Sequence, residues 1–313
     1  RQRQMCIRDR LIPVNFDEAF PRRMEIPPSA GSIDLIYQAL VLGIRDYVKK
    51  NGFHGAVLGL SGGIDSALVL ALAVEALGAG QVEVVMMPSR YTSGMSNEDA
   101  AIQADNLGVP YVVLPIEKPF AAFLDLLSDE FAGLDSDVTE ENIQARCRGV
   151  LLMAISNKKG KILLTTGNKS EMSVGYATLY GDMAGGFAPI KDCPKLLVYQ
   201  LAEYCNRERE IIPRRVIERP PSAELRPDQK DTDSLPDYAV LDEILRLYVE
   251  QDASLEDIIA KGFDRDTVKR IMRLVDVNEY KRRQAPPGVK ITQRAYGRDR
   301  RYPMTNKFRS DML

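Results

Sequence analysis

Histidine is almost missing and tryptophan is absent: His54 is the single imidazole in 313 residues. One histidine excludes metal sites built from several imidazoles and leaves little for histidine-activated nucleophiles. The four cysteines, Cys6, Cys147, Cys193 and Cys205, form no C-x-x-C pair. Neither a zinc ribbon nor a dithiol redox centre is therefore indicated. Such sparse cysteines fit reduced thiols in a cytoplasmic protein. No apolar run approaches the roughly 20 residues that a membrane helix needs. A charge excess is missing too. The 42 basic and 44 acidic side chains leave a net −2, so the whole chain has no pull toward nucleic acid or an anionic membrane. Carboxylates, lysines, backbone amides and a bound cation are what remain for chemistry.

What is present is a globular mix, 45% hydrophobic and 27% charged. Residues 1–10, RQRQMCIRDR, carry a net +3, differ in character from the rest of the chain and read as a non-native leader. Residues 11–32, with Pro13, Pro21, Pro27 and Pro28, read as a linker remnant, and 33–313 as one domain. Within it a helix opens at Ser32 and ends at Asn51-Gly52. Short apolar runs then predict strands over 56–60, 82–87, 111–116 and 161–166. Helical spacing covers 66–77, 97–107, 118–131, 140–157 and 194–207. Uninterrupted apolar strands between helices predict an α/β fold, a doubly wound parallel sheet with helices on both faces. In such sheets ligands bind beyond the carboxyl ends of the strands. His54 precedes the first strand, on the opposite side, and reads as structural. Residues 219–237 hold four prolines and many charges and predict a mobile loop without an element. Residues 239–280 predict short amphipathic helices. The stretch 281–309 is basic and loop-like, with ten Lys or Arg against one Asp.

The first strand runs into Gly59-Leu60-Ser61-Gly62-Gly63-Ile64-Asp65-Ser66, ahead of a helix. Adjacent glycines let an anion approach the backbone. The N–H groups of the turn and the helix N-terminus face that anion. Ser61 and Ser66 add hydroxyl donors. Asp65 would repel phosphate on its own, so its place there makes sense if it holds Mg²⁺. No lysine follows the glycines, so this is not a Walker A loop. A plain strand-to-helix turn capped by Asp65 or Ser66 is the alternative.

The Ser61–Ser66 string resembles the pyrophosphate-binding loop of the ATP pyrophosphatase (PP-loop) superfamily, and further strings narrow the resemblance. Met87-Pro88-Ser89-Arg90-Tyr91-Thr92-Ser93 follows the second strand, and Glu141-Asn142-Ile143-Gln144-Ala145-Arg146 lies on a helix. Thr165-Thr166-Gly167-Asn168-Lys169-Ser170-Glu171 follows the fourth strand. YATLYGDMAGGFAPIK spans 176–191, and KRRQAPPGVK ends at Lys290. Together, from about residue 33 onward, they resemble NAD synthetases, specifically the synthetase half of the bacterial glutamine-dependent type.

The resemblance implies an adenine nucleotide alpha hydrolase-like fold. It also implies ATP-dependent amidation of deamido-NAD through an NAD-adenylate, releasing AMP and pyrophosphate. It assigns ATP to Gly59, Leu60, Ser61, Gly62, Gly63, Ile64, Asp65, Ser66, Arg90, Thr166, Lys195 and Ser222. Deamido-NAD goes to Asn142, Arg146, Glu171, Asp182 and Lys290, and Mg²⁺ to Asp65 and Glu171. Asp65, Glu171 and Lys195 are the catalytic candidates. Loops 89–96 and 220–236 would close over substrate. The related enzymes carry an amide-hydrolysing domain, for which the roughly 30 residues ahead of this domain leave no room. Ammonia, supplied by such a domain elsewhere or free, is thus the expected nitrogen donor, and a homodimer the expected assembly. The residues agree with these assignments. Asn142 and Arg146 stand i, i+4 on one helix face. Glu171 lies beyond a strand end on the rim that holds Asp65. Lys191 and Lys195 open a helix, where cations are disfavoured unless an anion is near. Cys147, mid-helix, reads as a packing residue. Two competing readings are another PP-loop enzyme, either an amidotransferase synthetase or a tRNA-modifying enzyme for which the basic stretch 281–309 would be an RNA patch, and a nucleotide-binding module without turnover.

Overall fold

The computed structural model describes residues 32–305 except 228 and 234. It also describes a two-residue antiparallel pair, β1 (Phe16–Asp17) with β2 (Phe20–Pro21). The leader and nearly all of the linker expected over 11–32 lie outside the described residues. Helix α1 (Ser32–Lys50) leads into β3 (Ala56–Gly59), α2 (Ile64–Leu77), β4 (Val82–Met86), α3 (Gly94–Leu107) and β5 (Tyr111–Val113). Then come α4 (Glu117–Leu126), α5 (Val138–Lys159), β6 (Ile162–Leu163), α6 (Lys169–Val174) and α7 (Lys195–Cys205).

Four strands form one parallel sheet in the order β5-β4-β3-β6. Alternate side chains of the central strands point to opposite faces, as the pleat dictates. Ala56, Leu58, Val82 and Val84 join α1, α2 and α7 in one core. Val57, Val85 and Leu163 join Phe120 of α4 and Cys147 of α5 in another. Both faces are thus covered, which is why these strands are apolar apart from Glu83 of β4, whose carboxylate is paired with Lys159 and Lys161. Helix α8 (Arg214–Glu218) packs on the first core. A third cluster, helical apart from Leu235 and Tyr296, packs Val174 of α6 against α9 (Tyr238–Leu245), α10 (Leu255–Ile259) and α11 (Arg265–Val277), and α12 (Glu279–Arg282) follows. The chain winds outward from β3 through β4 to β5, then returns to lay β6 on the other side of β3. That reversal opens a crevice at the carboxyl ends of β3 and β6.

Several expectations need correction. The fourth strand contributes only Ile162 and Leu163 to the ladder. Beyond them Leu164 bridges to Phe187, and the Thr165 amide donates to the Phe187 carbonyl at 3.0 Å. The third strand is an edge strand of three residues, all exposed, not a buried run. Loop 219–237 contains a 3₁₀ turn at Asp231–Asp233 with Asp231 buried, so it is not devoid of structure. Its start is anchored too: Arg219 Nη2 donates to the Gly62 carbonyl at 2.8 Å.

The basic stretch is mostly consumed internally. Arg282 and Arg300 are buried, and Lys281 donates to the Gly175 and Ala177 carbonyls, both at 2.8 Å. Arg283 pairs with Glu279 and Arg294 with Asp252. A cationic face for RNA is not what these residues build. His54 sits at the amino end of β3, and its amide bonds the Gly160 carbonyl.

Candidate functional site

Two strand ends bring the site together. After β3, Gly62 takes φ +80, and a Cβ there would lie 2.2 Å from the Ser96 carbonyl oxygen, so only glycine fits. The turn is braced from within. Ser66 Oγ donates to the Gly63 carbonyl at 3.0 Å, and the Gly63 amide donates to Ser61 Oγ at 3.2 Å. Helix α2 starts at Ile64 without a side-chain cap. Its first amides are therefore left for a ligand, and Asp65 does not act as the cap of the alternative reading.

After β6, Asn168 caps the short helix α6 by accepting from the Glu171 amide at 3.0 Å. Its side-chain amide donates to Asp65 Oδ1 at 2.8 Å. This one asparagine ties both strand ends together. Lys195 then fills the space between the two carboxylates. Its Nζ lies 2.6 Å from Asp65 Oδ2 and 3.0 Å from Glu171 Oε1, with the side chain 1% exposed. Burial works against the Lys195 charge, but the two carboxylates outweigh it and hold the ammonium above the usual lysine range. Burial pushes Glu171 up, Lys195 pulls it down and Asp65 pushes it up again, with a net rise.

A lysine at the start of α7 is otherwise unfavourable. Asp242 offsets it by accepting from the Leu196 amide at 2.9 Å. Asp231 stands close enough to influence Lys195 and is held by the Tyr238 hydroxyl at 2.8 Å.

A cavity of about 340 Å³ opens over this cluster, at the lower end of ligand-pocket sizes. Of the residues expected to meet ATP, Gly59, Leu60, Ser61, Gly63, Ile64, Asp65, Ser66, Thr166, Lys195 and Ser222 line it. Gly62 lies in the same turn. Arg90 does not line the cavity; its guanidinium pairs with Glu117 and stacks 5.7 Å from the Phe120 ring.

Asp182 lines the cavity and is open to it, yet the surrounding protein desolvates its carboxyl. That desolvation pushes it up to about 6, against the pull of the Thr178 amide, which donates at 2.7 Å. Asn142 accepts from the Thr178 hydroxyl at 2.8 Å, and Arg146 donates to the Leu179 carbonyl at 3.3 Å. Both therefore brace the loop bearing Asp182 instead of lining the cavity. Lys290 is not brought to the cavity wall; its Nζ pairs with Asp299 at 2.6 Å. Lys191 lines the cavity, donating to the Pro286 carbonyl.

Sequence reasoning missed four lining or bracing groups. Asn168 stands within a quoted string, and an Asn three residues before a Glu is a capping signal. Arg148 lines the cavity, donates to the Met87 carbonyl at 3.1 Å, and burial brings its guanidinium down to about 10. Arg219 and Asp231 arrive from the loop read as structureless. Among the described residues no cluster of three or more His, Cys, Asp or Glu could hold a metal by itself. The pair of Asp65 and Glu171 nonetheless suits Mg²⁺, which takes one or two carboxylates and completes its shell with phosphate oxygens. The two carboxylates already converge on a positive charge, that of Lys195. Cys147 is buried, its thiol raised by desolvation, as a packing residue requires.

The chain is similar to known proteins over most of its length. A family model described as NAD synthase matches residues 36–285. A glutamine-dependent NAD(+) synthetase of Acinetobacter baylyi is 55% identical over 292 residues, covering 93% of this chain and 54% of that protein. Among solved structures, glutamine-dependent NAD+ synthetase from Acinetobacter baumannii in complex with ADP is 51% identical. It has a TM-score of 0.65 over 93% of this chain and 53% of that one. An NH3-dependent NAD synthetase from Campylobacter jejuni is 29% identical, with a TM-score of 0.64 over 80% of this chain and 96% of that one. The chain spans about half the length of the curated relatives it matches.

Proposed function

Because the chain belongs to the NAD synthase family, we propose that it amidates deamido-NAD to NAD, with ATP cleaved to AMP and pyrophosphate and ammonia as nitrogen donor. The observation that carries this reading is the cluster of Asp65, Glu171 and Lys195 beside the Ser61–Ser66 turn, at the crevice between β3 and β6. The turn's amides and hydroxyls hold the terminal phosphates of ATP. Lys195 meets phosphate from below, and Thr166 and Ser222 approach the nucleotide. Mg²⁺, held by Asp65 and Glu171, would offset charge on the phosphates and on the leaving pyrophosphate.

A nicotinate carboxylate oxygen attacks the α-phosphorus, and pyrophosphate leaves with the electrons of the broken P–O bond. Ammonia then attacks the acyl carbon, loses a proton, and AMP departs. No protein nucleophile is needed, which suits a chain with one histidine remote from the site. Positioning and fixed charge do the catalysis. Asp182 is placed at the nicotinate ring, with Asn142 and Arg146 supporting its loop. Lys290 meets the dinucleotide outside the enclosed cavity.

Residues 33–313 act as the synthetase domain, and a glutaminase domain supplies ammonia in the full-length protein. The assembly is a homodimer. The exposed edge strand Tyr111, Val112 and Val113, with Leu126, Leu134 and Val150 also exposed, supports an apolar contact face. The proposed site of action is the cytoplasm, where the free thiols of Cys147, Cys193 and Cys205 stay reduced. Separately, no described helix is long and apolar enough to cross a membrane. The test is an oxygen-transfer experiment. With ¹⁸O in the nicotinate carboxylate, one labelled oxygen should appear in AMP. Unlabelled AMP would overturn the adenylate route.

A further inference from the structure

Residues 219–225 form a strap along the cavity, with Arg219 through Leu225 all among its lining. The strap is tied at its start by Arg219 to the Gly62 carbonyl at 2.8 Å. Its other tie is a carboxylate. Glu224 Oε1 accepts from Ser96 Oγ at 2.7 Å, and Oε2 accepts from the Ser93 amide at 3.3 Å. Ser93 is itself the cap of α3, accepting from the Ser96 amide at 3.1 Å. The Ser96 carbonyl is the group that crowds Gly62 in the phosphate turn. One carboxylate thus joins the strap, the start of α3 and the loop that would hold phosphates.

The backbone of Glu224 is left-handed, with φ 49. A non-glycine residue persists there only when its surroundings hold it. Next to it, the Leu225 carbonyl accepts from Gln144 Nε2 at 2.9 Å, and the Glu224 amide donates to Ser222 Oγ at 3.2 Å. Ser222 is the strap's expected ATP contact, so the tie also sets where that hydroxyl stands.

We propose that Glu224 is a positioning residue: its carboxylate latches the strap onto Ser93 and Ser96 and closes the cavity over the activated substrate. The inference rests on the amidation reading, because an acyl-adenylate is what water would destroy. An open strap admits water, which cleaves the acyl–phosphate bond, returns deamido-NAD and AMP, and spends ATP without making NAD.

The test compares wild type with Glu224→Ala, Glu224→Gln, Glu224→Gly, Ser96→Ala and the double variant Glu224→Ala with Ser96→Ala. Pyrophosphate and NAD are counted together, and hydrogen exchange is measured for the non-proline amides from 222 to 233. Wild type should release one pyrophosphate per NAD. Ser96→Ala, which removes one charge-assisted hydrogen bond, should raise that ratio and speed strap exchange by about tenfold, and Glu224→Ala, which also frees the Ser93 amide, by at least as much. The double variant should go no further than Glu224→Ala, and Glu224→Gln should fall between. Glu224→Gly relieves the left-handed backbone but still removes the latch, so it should open as well. A strap that exchanges more slowly than wild type in Glu224→Gly would mean that backbone strain governs it, and would overturn the latch. A ratio of one with unchanged exchange in Glu224→Ala would overturn it too. If wild type makes no NAD, the amidation reading fails, and the exchange rates alone decide the latch.

Discussion

Replacing Lys195 by methionine removes the ammonium between Asp65 and Glu171 while keeping most of the side-chain volume. In the wild type that ammonium lies 2.6 and 3.0 Å from the two carboxylates and 5.2 Å from the Tyr238 ring. Without it, two carboxylates face each other with the Asn168 amide as the remaining donor to Asp65. Breaking a buried ion pair from one side costs about 3–5 kcal/mol. Asp65 and Glu171 keep 19% and 17% exposure, so water screens part of the loss and the lower end, about 3 kcal/mol, applies. In a domain of this size each kcal/mol moves the melting midpoint by roughly 2–4 °C, giving a drop of roughly 6–12 °C. Thermal unfolding followed by circular dichroism at pH 7 measures it. The amidation rate should fall by at least about 100-fold, equivalent to roughly 2.7 kcal/mol of lost transition-state stabilisation. Lys195→Arg keeps the charge but not the compact ammonium, and should recover stability more than rate. A methionine variant melting within about 1 °C of wild type would refute the idea that this ammonium holds the carboxylate pair together.

Gly62→Ala forces a Cβ to 2.2 Å from the Ser96 carbonyl oxygen at φ +80. It should cost more than about 2 kcal/mol and raise the KM for ATP. Gly78→Ala, at φ 84 and ψ 149 with open space around it, should cost about 1–3 kcal/mol from backbone strain alone and leave that KM alone. Chemical denaturation with ATP titration separates the two. Asp182→Asn tests the raised carboxyl. Its folded value of about 6 lies above the ordinary 3.8, so charging it opposes folding. The penalty is absent below the ordinary value, grows as pH rises between the two, and is complete above the higher one. The variant keeps an oxygen for the Thr178 amide, so its stability relative to wild type should improve from pH 4 to pH 7. An offset that stays flat across that range would contradict the assignment.

The central sheet was legible because strands buried on both faces are apolar nearly throughout: 56–60 is, and 82–87 is but for Glu83, which is buried against Lys159 and Lys161. The edge strand misled for the same reason: Tyr111, Val112 and Val113 are apolar but exposed, so an apolar run alone does not measure burial. The turn after β3 was legible because its two glycines, Asp65 and both serines fall within the six residues Ser61–Ser66. The cavity's remaining walls were not. Asn168 reaches Asp65 across 103 residues, and Lys195 reaches it across 130. No local spacing reports such pairs. The loop at 219–237 looked unstructured because its prolines and charges fit no periodicity. Its order comes instead from long-range bonds by Arg219 and Glu224, with Asp231 held by the nearer Tyr238 hydroxyl. Lys290 was assigned by resemblance alone, and nothing in the local sequence announced that its Nζ pairs with Asp299, nine residues on.

The most direct test incubates the chain with ATP, Mg²⁺ and deamido-NAD, and supplies either ammonium or glutamine. NAD, AMP and pyrophosphate should form in equal amounts with ammonium, and glutamine alone should yield no NAD. Failure to form NAD from ammonium, with the chain folded and binding ATP, would contradict the account.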